Sequence, residues 1–229
     1  MGEKRLACAH SSQPLVKHFS PLRRALYLNG SMMSDVTPYK ELHDRVIKTT
    51  KNRFAAQRRL EHHNKAVLWT ITLSSIFLLI TPLAQGFGLE LTQSKTTIDF
   101  VQIILTIVIL AVSIILSMAN FAVRGERIHN CGMELNGLGR RIFPHIKLTE
   151  QDDQYDSFNQ EYDEILRRYE NHTKVDFMRT KLEMSEYYQL PFWYRGIFTL
   201  RYFSQFWLYA AILGSEFIWV GTLFGALKV

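Results

Sequence analysis

The sequence predicts an all-α membrane protein: a transmembrane helical hairpin with long cytoplasmic helical extensions and a third hydrophobic helix near the carboxyl end. Residues 66–84 and residues 100–123 contain no charged side chain. Each run matches the roughly 20 apolar residues that cross a hydrocarbon core of about 30 Å. Apolar residues at helical spacing continue outside these runs, which predicts that the spans extend into polar helices.

A third apolar stretch, residues 203–227, contains a carboxylate, Glu216, near its middle. A charged side chain at the centre of a membrane helix costs on the order of 2.5 to 3.5 kcal/mol on insertion scales. We predict a third span, with a helix lying in the membrane interface as the alternative. Glu216 is then either an ion or proton site or the partner of an arginine or a hydroxyl group.

The basic residues predict the orientation. Lysines and arginines crowd the regions before the first span and after the second, whereas the 85–99 connection contains only Lys95. The positive-inside rule therefore places the amino-terminal region and residues 124–202 in the cytoplasm. Anionic lipid headgroups explain the net charge of +6 better than nucleic acid does, so no direct nucleic-acid partner is expected.

The first helix is expected to begin at Pro38, with Thr37 as its N-cap. Apolar and small residues then follow at steps of three and four, which predicts one helix from about residue 38 to about 81. This seam consists of Tyr39, Leu42, Val46, Thr49, Arg53, Ala56, Leu60 and His63. Residues 1–36 show no such period. We expect them to be disordered or to belong to an over-extended reading frame, in which Met32 or Met33 is the working start.

The domain that follows is expected to cover residues 37–206, with the third hydrophobic segment at 203–227. Its second span should continue as a polar helix to about Ile142, because Pro144 stops it. Thr149 to Asp152 resembles a capping box, which predicts a cytoplasmic helix over residues 149–190. Within that helix His172 and Asp176 share a face, and we interpret them as a hydrogen-bonded packing pair rather than as catalytic or metal-binding groups.

Polar side chains recur along one face of the second span. Such a face suits the lining of a water-filled pore built from several copies, or hydrogen bonding between packed helices, and both interpretations stay open. The candidate pore-lining residues are Gln102, Thr106, Ser113, Ser117 and Asn120. A similar series in the first span, where packing is favoured, consists of Thr70, Ser74, Thr81 and Gln85.

The sequence contains no phosphate-binding glycine loop, nucleophile elbow or zinc-protease motif. Two pairs, His62 with His63 and His129 with Cys131, would reach similar depths but lack tetrahedral zinc spacing. We therefore expect a protein that is not an enzyme, with no catalytic residue, metal or cofactor.

The hairpin, the basic stretch RFAAQRRLEHHNKAVLW before it and the stretch YDEILRRYENHTKVDF after it resemble the SLATT family, the SMODS and SLOG-associating two-transmembrane effectors. The resemblance covers residues 37–205 and is to the fifth subfamily. The cytoplasmic residues that carry it are Tyr162, Leu166, Glu170, Asn171, His172 and Asp176.

The resemblance implies a multi-pass effector of the bacterial inner membrane that acts in antiphage defence by abortive infection. Such an effector is expected to form a homo-oligomer and to permeabilise the lipid bilayer when a partner sensor signals. The implied partner is a nucleotidyltransferase or a reverse transcriptase encoded nearby. The alternative is a non-conducting anchor or scaffold that recruits a cytoplasmic partner enzyme through the acidic helix at 149–190.

Overall fold

A computed structural model describes residues 37–185 and 187–225. Within these ranges the chain is helical and contains no strand, which confirms the all-α prediction. Its α-helices are α1 Pro38–Gly86, α2 Lys95–Met118, α3 Phe121–Ile142, α4 Asp153–Arg168, α5 Lys174–Glu183, α6 Trp193–Phe203 and α7 Trp207–Leu223. Short 3-10 helices follow α3 at Phe143–His145 and α6 at Ser204–Phe206. The expectation for residues 1–36 lies outside the described residues.

Three helical stretches are long and apolar enough to cross a membrane: Pro38–Gly86, Lys95–His145 and Trp193–Leu223. Together with the fold they identify a membrane protein with a third apolar helix, as the sequence predicts. The first half of α1 packs with α3, α4 and α5 into what we call the helical bundle. The bundle lies at one end of the apolar segments.

The predicted start of α1 is confirmed. The Thr37 side chain accepts a hydrogen bond from the Lys40 backbone N–H at 3.2 Å, and Pro38 occupies the first turn. The helix continues past the expected end at residue 81. It includes Pro82 and ends at Gly86. Prolines are tolerated in membrane helices when neighbouring groups satisfy the freed backbone carbonyl.

The core of the bundle is built on the seam that the sequence predicts along α1. In the described part of α1 all seam residues except the half-buried Thr49 are buried. The antiparallel partner α3 approaches closely, since a Cβ atom added at Gly132 would lie 2.8 Å from the Phe54 ring. The central cluster consists of Tyr39, Leu42, Val46, Cys131, Leu135, Leu138, Ile142, Phe158, Tyr162 and Ile165.

The polar extension of the second span ends at Ile142, as expected. The expectation that the span continues into it without a break was wrong. Helix α2 ends at Met118, and α3 begins at Phe121 after Asn120, which has a left-handed backbone with φ of 47°. Asparagine adopts this conformation more readily than most residues do, because its short polar side chain can hydrogen-bond locally. The junction at Asn120, which we call the kink, is therefore a break in the helical backbone between the membrane helix and the bundle.

The prediction of one helix over 149–190 was also wrong. Asp152, not Thr149, caps the first helix, since its carboxylate accepts from the Tyr155 N–H at 2.9 Å. The chain leaves the helix at Tyr169 and enters α5 through a capping box formed by Thr173 and Asp176. A strong local cap can begin a new helix without any glycine or proline to end the previous one.

Helix α7 runs alongside the apolar half of α1. At its bundle end the Tyr209 hydroxyl lies 3.3 Å from Nδ1 of His63. At its other end the Leu223 carbonyl accepts a hydrogen bond from the Thr92 N–H at 3.0 Å. Because Thr92 belongs to the connection between α1 and α2, α7 reaches from the bundle to the far end of the hairpin. This placement favours a third span over a helix lying in the interface.

Candidate functional site

Two arginines, one from α1 and one from α3, hold the connecting segment, which we define as residues 169–173 between α4 and α5. Arg53 donates to the backbone carbonyl of Glu170. Arg124 contacts the Glu170 carboxylate, with N–O distances of 2.9 to 3.2 Å. The break between the two helices is therefore anchored to both long helices of the bundle.

The contact that completes this arrangement is the ion pair of Arg59 with Asp176. The guanidinium nitrogens lie 2.8 Å and 3.2 Å from the two carboxylate oxygens. Only 1% of the Asp176 side chain and 12% of the Arg59 side chain is exposed. Removing one member of such a buried pair leaves an uncompensated charge, which is strongly destabilising. The exposed Arg124–Glu170 pair contributes much less to stability.

The structure places His172 outside the helix that carries Asp176, so the predicted His172–Asp176 hydrogen bond was wrong. The Asp176 carboxylate instead accepts from Arg59 and from the backbone and hydroxyl of Thr173. Within the described residues Nδ1 of His172 is buried without a hydrogen-bond partner. Burial lowers the pKa of His172 below its ordinary value, and the nearby Arg53 charge lowers it further.

The other cytoplasmic residues that carry the family resemblance make contacts that hold the bundle together. Tyr162 hydrogen-bonds Thr49 of α1 at 2.9 Å, and Leu166 packs against the central cluster. The Asn171 side chain accepts from the His172 N–H at 2.9 Å, which shapes the connecting segment locally. Glu170, Asn171 and His172 of this set therefore lie in the connecting segment itself, and the other three residues lie in the helices on either side of it.

The connecting segment also reaches the membrane helices. Arg124, which pairs with Glu170, lies in the first turn of α3, directly after the kink at Asn120. Asn120 ends the polar face of the second span. A change in the connecting segment would therefore act on the point where α2 meets the bundle.

An aromatic stack joins three helices where the apolar segments begin. The His63 ring lies between Phe121 and Phe206, with ring centroids 5.1 Å and 4.4 Å away. Nearby, Nδ1 of His62 lies 2.7 Å from the Tyr202 hydroxyl. Across the described ranges no three His, Cys, Asp or Glu side chains are close enough to hold a metal ion.

The candidate pore-lining residues do not share one environment. Gln102 turns toward α1 and donates to the Leu78 carbonyl at 3.1 Å, while Thr106 donates to the Gln102 carbonyl at 2.7 Å. Ser113 is half-buried, and Ser117 and Asn120 are exposed.

Helix α2 as a whole is poorly covered. Ile98 is the only fully buried side chain of α2 in the described part of the chain. Large apolar side chains are exposed along its length, and they include Phe100, Ile103, Ile107, Leu110, Ile114 and Ile115. In a membrane this surface faces lipid or further copies of the chain.

In the first span the polar series is buried within the chain. Thr70, Ser74 and Thr81 are each no more than 3% exposed, and α7 is the apolar helix that packs along this part of α1. This burial favours the packing interpretation over pore lining. Glu216 of α7 is buried at the same contact, and it lines a small cavity with Thr81 and Gln102.

Sequence reasoning missed Arg53 and Arg124 as partners of the connecting segment, and Arg59 as the partner of Asp176. One signal was present, because Arg53 occupies a position of the apolar seam, where a charged side chain needs a buried partner. The meeting of Glu216 with Gln102 had no local signal, since it depends on how α7 packs.

A family model described as SMODS and SLOG-associating 2TM effector domain family 5 matches residues 35–224. The match extends beyond the 37–205 range of the sequence resemblance and includes α7. No curated protein and no solved structure matches the chain.

Proposed function

The chain belongs to family 5 of the SMODS and SLOG-associating two-transmembrane effector domains, and from this premise we propose how its effector role is carried out. The protein oligomerises in the bacterial inner membrane and permeabilises it when a partner sensor signals infection. It acts as a pore-forming effector of an abortive antiphage response rather than as an enzyme. The partner is a nucleotidyltransferase or reverse transcriptase encoded nearby.

The observation that carries this proposal is the exposure of α2. A membrane helix with a single buried side chain in the described chain leaves most of its surface open to its surroundings. One face of that surface carries Ser113 and Ser117, whose hydroxyls are poorly suited to lipid. If several copies turn this face toward a common axis, the hydroxyls line a water-filled path.

The bundle supplies a route for the signal. A partner that displaces the connecting segment would break the contact of Glu170 with Arg124, next to the kink at Asn120. Because exposed ion pairs contribute at most about 1 kcal/mol, this contact is readily exchanged for a contact with a partner. The kink then changes the direction of α2 relative to the bundle.

The basic residues on both long helices of the bundle support a cytoplasmic bundle and a cytoplasmic amino terminus. With three spans, α7 then ends on the opposite side of the membrane, beside the 87–94 connection. A reporter fused after α7 tests this topology, since activity of a cytoplasm-only reporter would contradict it.

The test is a membrane-potential dye in cells that express the chain at increasing levels. We expect the wild type to depolarise the membrane and the Ser113→Leu/Ser117→Leu variant to lose at least about tenfold of this effect. Ala111→Leu is the matched control, because Ala111 is exposed on the opposite face of α2. Full depolarisation by a well-folded double variant would contradict the proposed lining.

The acidic face of α4 supports the alternative function, a non-conducting scaffold that recruits a partner. Helix α4 presents exposed carboxylates on one face, including Asp153, Asp156, Asp163 and Glu164. Such a face suits a basic partner protein. Reversing Asp156 and Asp163 to Lys should abolish partner recruitment in either case. Only the scaffold reading predicts that the wild type leaves the membrane potential unchanged under every trigger.

A further inference from the structure

Glu216 is an ionisable side chain buried where three membrane helices meet. Its exposed fraction is 2%, and it lies near the middle of α7. Within the described residues neither carboxyl oxygen has a hydrogen-bond partner of good geometry, and the same holds for Oγ of Ser74. The Ser74 hydroxyl is nevertheless the polar group that interacts with Glu216. The site therefore has an unsatisfied carboxyl group and an unsatisfied hydroxyl side by side.

Among the described residues that line the cavity around Glu216, none carries a compensating positive charge. The cavity that it lines has a volume of about 10 Å³, which is room for no more than about one water molecule. Thr81 of α1 and Gln102 of α2 are the other polar side chains of its wall. The remaining wall is apolar and consists of Phe77, Leu78, Leu105, Trp219 and Val220.

These surroundings favour the neutral acid. An ionised carboxylate buried without a cation or several donors is unfavourable, and a group in this position takes up a proton instead. The neutral acid has one O–H to donate, and Ser74 and Thr81 offer acceptor oxygens. Gln102 offers its side-chain carbonyl, while one N–H of its amide nitrogen donates to the Leu78 carbonyl.

We propose that Glu216, Ser74, Thr81 and Gln102 form an intramembrane proton-binding site. The carboxyl group of Glu216 holds one proton while α1, α2 and α7 are packed together. When α2 moves away with Gln102 the site opens to water, and the proton passes to that water, leaving a hydrated carboxylate. This release step rests on the proposed function, whereas the bound proton does not.

The bound proton is tested by infrared spectroscopy of the full chain in lipid bilayers near neutral pH. We expect a carbonyl band of a neutral carboxylic acid that is absent in Glu216→Gln. Glu90→Gln is the matched control, because Glu90 is an exposed carboxylate in the loop between α1 and α2, and it should retain the band. A wild type without the band would overturn the proposal. So would loss of the band when sodium or potassium chloride is added at constant pH, since a metal cation would then be the ligand.

A second measurement protects the test if Glu216→Gln fails to fold. A hydrophobic carbodiimide adds the protonated carboxyl group across its C=N bond, and the adduct rearranges to a stable N-acylurea without a leaving group. We expect peptide mass spectrometry of the wild type to find this adduct at Glu216 and not at Glu90. An adduct at Glu90 with none at Glu216 would contradict a neutral buried acid.

The release step has its own readout. Glu216→Gln keeps the uncharged shape and cannot ionise, so we expect an assembled protein whose depolarising activity falls at least tenfold. Undiminished depolarising activity would contradict the proposed link between proton release and pore opening. The infrared result would then still decide whether Glu216 binds a proton. If the wild type never depolarises membranes, the proposed function fails while the infrared band still decides the proton site.

Discussion

Charged residues of the bundle differ widely in how much they contribute to the stability of the fold. The Asp176 carboxylate accepts hydrogen bonds from three groups: the Arg59 guanidinium, the Thr173 backbone N–H and the Thr173 hydroxyl. Its side chain is nearly inaccessible to water, so its partners cannot be replaced by solvent. The surface pair of Arg45 with Glu41 has the same chemical groups but is largely exposed. Burial therefore decides which ion pair holds the fold.

Arg59→Ala is expected to lower the free energy of unfolding by about 3 kcal/mol, because it leaves Asp176 buried beside no cation. Arg45→Ala is the control and should change it by less than about 0.5 kcal/mol, since exposed pairs of this kind contribute little. Chemical unfolding followed by circular dichroism measures both. Equal effects of the two variants would show that the Asp176 contact is not structural.

The stability of the bundle should depend on pH through His172. Its pKa lies below the ordinary value of 6.5 in the folded chain, mainly because of burial. The unfolded chain therefore binds a proton that the folded chain does not, so the contribution of His172 is full above pH 6.5 and is lost as the pH falls below it. We expect the unfolding free energy of His172→Gln to fall less steeply below that pH than the wild type's. Parallel curves would contradict a buried neutral imidazole.

Whole elements are arranged by two local features of α3, its glycines and the kink before it. Gly132 faces α1, where an added methyl group would meet Phe54 at 2.8 Å, whereas Gly137 of the same helix has no neighbour within 4 Å. Close packing of α1 against α3 therefore depends on one glycine and not on the other.

Gly137→Ala should stabilise the fold by about 0.5 to 1 kcal/mol, because alanine restricts the unfolded chain and fits the helix. Gly132→Ala should be less stable than Gly137→Ala by about 1 to 2 kcal/mol, since the Phe54 ring must leave its contact with His129. Thermal unfolding of the two variants side by side checks the difference. Phe54→Leu should remove most of it, and a difference that survives in that background would locate the clash elsewhere.

The left-handed residue at the kink gives an element-scale test. Asn120→Gly is expected to leave stability within about 0.5 kcal/mol, because glycine accepts a positive φ freely. Asn120→Val should cost about 1 to 2 kcal/mol and favour a straighter junction of α2 with α3. Unfolding measurements, together with spin-label distances between the two helices, report both effects. A valine variant that is as stable as wild type would show that the kink is not fixed by its backbone.

The sequence predicts best what local pattern controls. The start of α1 followed from Thr37 and Pro38, and its buried face followed from apolar spacing. The break at 169–173 was missed because no glycine or proline marks it, although Thr173 and Asp176 stand at capping-box spacing. The kink at Asn120 was missed for the same reason. Gln102 faces Glu216 only because α7 packs beside the hairpin, and no local pattern encodes such long-range packing.

At the scale of the whole molecule, one chain has too few spans to enclose a pore. Large apolar side chains of α2 are exposed, whereas α1 and α7 pack against each other. The family match includes all three apolar helices, so the third lies within the matched region. We therefore expect copies of the chain to assemble through α2, with α7 as structural support.

We expect the protein extracted in mild detergent to have the mass of several chains. Substituting Ile107 and Ile114 by Ser on the exposed surface of α2 should shift it toward the single chain, because apolar packing surface is lost. Light scattering coupled to size exclusion measures the mass. An assembly unchanged by these substitutions would place the contact between copies on another helix.

Whether one face of α2 lines a pore is tested most directly by the water accessibility of α2 in the active assembly. Single cysteines at Ser113, Ser117 and Ala111, in a chain carrying Cys8→Ser and Cys131→Ala, are exposed to a membrane-impermeant thiol reagent during depolarisation. We expect rapid reaction and a blocked current at positions 113 and 117, and no reaction at position 111. Equal reaction at all three positions, or reaction at 111 alone, would contradict a pore lined by this face of α2.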